Sequence, residues 1–149
     1  MKQPKTPRPR VSKPCQEFES AAEYVHDLNR WIHDVSELGM PHFRELGNRL
    51  QCYRDLLAAD FAAEEARGQL SGVGKCRPEC WKEIDELRHQ HGQFLDELEV
   101  LVVKLCQDEP PYDSWQDAVR HFDELLMEIH RHEGRELQLL ASITDAATS

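Results

Sequence analysis

The chain has little of what builds a sheet or a membrane span. Aromatic residues make up 7% of its 149 positions, and only seven positions are glycine. No stretch alternates apolar and polar residues as a strand does, and no Asn-Gly or Asp-Gly pair marks a hairpin. No apolar run approaches the roughly 20 residues that a membrane helix needs, and no apolar stretch of signal-peptide type opens the chain. These absences lead to the expectation of a cytoplasmic protein that does not touch membrane. There is no P-loop, no glycine-rich dinucleotide turn and no Gly-x-Ser-x-Gly elbow, so the common nucleotide-binding and serine-hydrolase chemistries have no carrier here.

Positive charge is also scarce, except at the start. Residues 1–14 hold Lys2, Lys5, Arg8, Arg10 and Lys13 with no acid, interleaved with Pro4, Pro7, Pro9 and Pro14. That composition predicts a disordered basic tail over 1–15. The remaining 135 residues carry 13 basic side chains against 28 acidic ones, a balance that repels nucleic acid and anionic lipid. The five cysteines (Cys15, Cys52, Cys76, Cys80 and Cys106) are odd in number and read as free thiols.

What remains is helical. Pro41, Pro78, Pro110 and Pro111 fall where helices start or loops turn, and the segments between them are rich in Ala, Leu, Glu, Gln and Arg. Apolar residues recur at steps of three and four: Phe18, Ala21, Val25, Leu28, Ile32 and Val35 over residues 16–38; Phe43, Leu46, Leu50, Tyr53 and Leu57 over 41–68; Ile84, Leu87, Phe94, Leu98, Leu101 and Leu105 over 78–107; and Trp115, Ala118, Phe122, Leu125, Ile129, Leu139 and Ile143 over 112–143. The glycine-bearing stretch 68–74 reads as the loop between two halves. The pattern predicts an all-α domain over 16–144, an up-and-down antiparallel four-helix bundle.

Extending each apolar seam meets polar residues. Asp60 and Glu64 follow Leu57, His91 falls between Leu87 and Phe94, and His132 and Glu136 follow Ile129 before the seam returns to Leu139. Asp60/Glu64 and His132/Glu136 are each four apart, so each pair shares a helix face. Counted from the connecting loops, all five lie at one level of an antiparallel bundle. Buried charges need partners or a metal, and carboxylates and imidazoles converging from facing helices are how bundles build di-iron and di-manganese sites. The alternative is a buried network in which the histidines and carboxylates satisfy one another without metal. Gly92 and Gly134 interrupt helices beside His91 and His132, either to let helices approach or as tolerated variation. The Cys76-Arg77-Pro78-Glu79-Cys80 segment matches zinc-site spacing poorly, and His33 and His42 flank the first loop far from the five.

At Asp60-Phe61-Ala62-Ala63-Glu64-Glu65, Leu87-Arg88-His89-Gln90-His91 and His132-Glu133-Gly134-Arg135-Glu136 the chain resembles the hemerythrin-like (HHE cation-binding) family. The resemblance runs from about Trp31 to Leu140. It implies a non-haem centre of two iron ions, with Asp60, Glu64, His91, His132 and Glu136 as ligands and Glu65 behind them. That centre would bind or sense O₂ or a related small oxidant, or handle iron. Two positions depart from the family pattern: Asp60 stands where the family has histidine, and the positions in helix 1 that mirror the site are the apolar Phe18 and Ala21, with His26 the nearest histidine. These departures leave one ion, or none, open.

Overall fold

The computed structural model describes residues 15–148; the basic tail read in the sequence over 1–15 lies outside the described residues except for Cys15, which is ordered in a 3₁₀ turn. The described chain is all-helical. A short 3₁₀ turn over Cys15–Glu17 leads into α1 (Ala21–Glu37), α2 (Phe43–Arg67), α3 (Gln69–Cys76), α4 (Trp81–Leu105) and α5 (Trp115–Thr148). Among the described residues, no helix is long and apolar enough to cross a membrane.

The helices begin and end where local chemistry dictates. Ser20 caps α1, its hydroxyl accepting from the Glu23 N–H. Gly68 ends α2 in the left-handed conformation (φ 67°), which costs glycine nothing. The chain then re-enters a helix at once. The stretch 68–74 reads as loop in the sequence, but Gln69–Cys76 forms α3, because Leu70 and Val73 bury themselves against Ile84, Leu87 and Leu139. Tertiary burial outweighs the poor helix propensity of Gly72 and Gly74.

Contacts fix the helix directions. Ala21 meets Asp60 while Trp31, further along α1, meets His42 just ahead of α2, so α1 and α2 are antiparallel. Arg54 reaches Leu95 and Glu99, and Gly47 sits against Leu105 and Cys106, so α2 and α4 are antiparallel. Gln90 meets His132 and Glu83 meets Arg135, so α4 and α5 are too. The Trp115 indole at the start of α5 donates to Ser36 Oγ near the end of α1 (2.8 Å), bringing the last helix beside the first.

The apolar seams become the core, in two parts. The larger cluster joins α1, α2, α4 and α5 around Leu28, Val35, Leu46, Leu50, Leu98 and Phe122. The smaller one joins α3, α4 and α5. Along α4 the order is Leu87, His91, Phe94; along α5 it is Ile129, His132, Glu136, Leu139. A polar layer therefore separates the two clusters.

One expectation is corrected. Cys15 and Cys52 form a disulfide, so the cysteines are not all free; Cys76, Cys80 and Cys106 are. The 3₁₀ turn folds back onto the middle of α2, a long-range contact that sequence spacing does not carry.

Gly92 and Gly134 are not points of close helix approach. A Cβ at either position would meet nothing within 4 Å. Gly134→Ala, and Gly92→Ala independently, should therefore stabilise the fold by about 0.5–1 kcal/mol each through helix propensity. Gly74→Ala should gain no such stability, because its Cβ would lie 2.6 Å from Trp81 Cδ2. Thermal melts of the three variants check this.

Candidate functional site

The polar layer is built by two adjacent helices. His132 and Glu136, one turn apart on α5, are 1% and 6% exposed, and His91 on α4 is 4% exposed. His132 Nε2 lies 2.5 Å from Glu136 Oε1, and His91 Nε2 lies 3.7 Å from the same oxygen. One donor atom from each residue falls within 4.8 Å of the other two. Among the described residues this is the one such group of histidine, cysteine and carboxylate side chains.

The outer nitrogens are taken. His91 Nδ1 is 3.1 Å from Glu65 Oε1, and His132 Nδ1 is 2.7 Å from Gln90 Oε1. Where each Nδ1 donates its N–H to the oxygen behind it, Nε2 turns a lone pair toward Glu136. Accordingly His91 Nε2, His132 Nε2 and Glu136 Oε2 are buried with no hydrogen-bond partner. The two Nε2 atoms face Glu136 Oε1; lone pairs directed at one another in a buried layer are costly, and a cation among them removes that cost. Burial chiefly, with His91 and Arg135 adding to it, lowers the His132 pKa to about 4, so the ring is neutral at pH 7, the form that ligates metal.

Aromatic packing fixes the rings. Phe61 stacks flat on His91, with centroids 3.9 Å apart and planes 10° from parallel, and Phe94 meets His132 edge-on at 5.3 Å. Both phenylalanines belong to the larger core cluster, so they also keep bulk water from this side of the layer.

The structure brings three of the five expected ligands together and places the other two apart. Asp60 is half-buried on α2, and its Oδ2 accepts the Ala21 N–H at 2.9 Å. It thus satisfies an otherwise unpaired amide at the start of α1, where the helix dipole favours a negative charge. Glu64 is half-buried and lines a small cleft with Glu65, Arg88 and His91. Burial raises its carboxyl pKa, partly opposed by His91 and then Arg67, but it stands outside the group of three. His26 is exposed on α1. Of the cysteine alternative, Cys76 is exposed and Cys80 buried.

Glu65 occupies the place behind the site that the sequence proposed, on His91 Nδ1. Gln90 and Phe61 were not singled out. Gln90 is off the apolar seam, and the available signal was its position beside His91, which puts its side chain over the α4–α5 junction. Compared with known protein families, curated proteins and solved structures, the chain matches none. Fold and geometry define the class: an all-helical protein with a buried group of two histidines and one carboxylate.

Asp60→Ala should loosen the start of α1 and destabilise the fold by about 1–2 kcal/mol, the scale of a lost helix cap. Urea denaturation should show a lower midpoint, and hydrogen exchange a loss of protection at the Ala21 amide. Unchanged exchange there would mean that Asp60 serves something other than α1.

Proposed function

We propose that this chain is a hemerythrin-like, non-haem iron-binding protein, an up-and-down four-helix bundle that binds or senses O₂ or a related small oxidant. Its long helices α1, α2, α4 and α5 would form the bundle, with α3 inserted between α2 and α4. The antiparallel pairings, together with the Trp115–Ser36 contact that returns α5 to α1, support that architecture.

One observation carries the metal reading: the Nε2 atoms of His91 and His132, buried without a hydrogen-bond partner, converge on Glu136 Oε1, while the far nitrogen of each ring lies against an oxygen of Glu65 or Gln90. Metal-ligating histidines have this arrangement, with the second nitrogen fixed by a carboxylate or carbonyl behind it. Two imidazoles and a carboxylate suit non-haem iron(II), and zinc uses the same donors. Iron held by three protein donors keeps open positions at which a small oxidant binds. The inward atoms make the donor set of one ion. The sequence led to two, but Asp60 is engaged at α1. His91, His132 and Glu136 would hold the ion, Glu65 and Gln90 would orient the rings, and Phe61 and Phe94 would exclude water.

The 2.5 Å approach of His132 Nε2 to Glu136 Oε1 favours a second reading, a metal-free polar layer. There the Gln90 amide is turned over, His132 carries its proton on Nε2, and it donates to Glu136.

Elemental analysis after anaerobic iron(II) loading separates these readings. One ion per chain is expected, lost in His132→Ala and in Glu136→Ala with helical circular dichroism unchanged. Two ions per chain would restore the di-iron centre. No metal would leave the internal network, and metal retained by both variants would overturn the ligand assignment.

A further inference from the structure

The polar layer can exist in two proton arrangements, and Gln90 stands at the point that selects between them. With the His132 proton on Nδ1, Gln90 Oε1 accepts it at 2.7 Å, and Nε2 and Glu136 face each other without a shared hydrogen. With the proton on Nε2, His132 would donate across the 2.5 Å gap to Glu136 Oε1 and close the layer on itself. Which nitrogen of a neutral imidazole carries the proton is set by the hydrogen bond that the other nitrogen makes. Along α4, Gln90 is the immediate neighbour of His91, so one helix both supplies one histidine of the layer and orients the other.

We propose that Gln90 is the positioning residue that keeps this layer open: with its carbonyl oxygen toward His132 it favours the proton on Nδ1 over the pairing of His132 with Glu136, and leaves both available to a divalent cation. Glu65 does the same for His91, but less decisively. Its side chain is 53% exposed, whereas Gln90 is half-buried, so water can replace Glu65 at His91 more readily than it can replace Gln90 at His132. The two rings are also unequal. His91 has a carboxylate behind it and is the stronger donor; His132 has a neutral amide. The consequence for metal rests on the metal-binding reading above, whereas the tautomer does not.

The test begins with metal-free protein at neutral pH. ¹⁵N NMR of the histidine rings should show His132 with its proton on Nδ1. Gln90→Leu and Gln90→Ala should move that proton to Nε2, and Gln90→Glu should leave it on Nδ1, with the spectra of the distant His33 and His121 unchanged in all three. A wild-type His132 protonated on Nε2, or a tautomer indifferent to Gln90→Leu and Gln90→Ala, would overturn the role of Gln90. Zinc(II) titration of the same samples supplies the second readout. Affinity should fall about 10–100-fold in Gln90→Leu and recover in Gln90→Glu, the usual scale for an orienting partner. The expected tautomers with no zinc affinity in the wild type would overturn the metal reading and leave Gln90 in place as the residue that sets the proton.

Discussion

An imidazole or a carboxylate buried in an apolar core must be compensated, and the centre of this molecule is organised around that requirement. His91, His132 and Glu136 lie between two clusters of leucine, isoleucine and phenylalanine, deep enough that water does not serve them. The outer nitrogens of the two histidines are met by Glu65 and Gln90, and their inner nitrogens face Glu136. A layer of this kind favours one register of α4 against α5. A shift by one turn would place His132 against a leucine and leave Gln90 Oε1 and the histidine nitrogen both unpaired, each at a cost of about 1–3 kcal/mol.

α4 is the element that connects these parts. One of its faces packs along α2, where Gly47 leaves room for Leu105 and Cys106; another packs along α5. Arg54 crosses from α2 to the Leu95 carbonyl and to Glu99 on one side, and Arg135 crosses from α5 to Glu83 and Glu86 on the other. These ion pairs are partly exposed and contribute little each. His91 turns inward between them, and Phe61 from α2 closes over its ring. The site is thus built by α4 and α5 and supported by α2.

α1 is attached differently. It gives the site no donor; its own first amide is held by Asp60, and the turn ahead of it is tied to α2 by the Cys15–Cys52 disulfide. Closing a loop of that length restricts the unfolded chain by roughly 4 kcal/mol in the chain-entropy estimate. Acid and disulfide act on the same end of α1, which its apolar face, from Ala21 to Val35, then secures along α2.

The helical class was legible in the residues themselves. Apolar steps of three and four need only a 3.6-residue turn to form a face, and Leu28, Leu50, Leu98 and Phe122, read as core from that spacing, are buried. The same periodicity pointed His91, His132 and Glu136 inward, because a residue on the seam faces the core whatever its chemistry. Spacing along one helix does not say which side chain of another helix lies opposite. Asp60 and Glu64 are on or near the inner face of α2, yet whether such a carboxylate meets a histidine, a helix terminus or solvent depends on how α2 is placed against α1 and α4. The Cys15–Cys52 bond, the folding of residues 69–76 into α3, and the meeting of Gln90 with His132 were settled in the same way, by contacts between residues distant in sequence. By itself the sequence determined which faces are apolar and which polar residues interrupt them, since that follows from local helix geometry. Only the tertiary structure decided which of those interruptions share a site, since that depends on the rotation and register of one helix against the next.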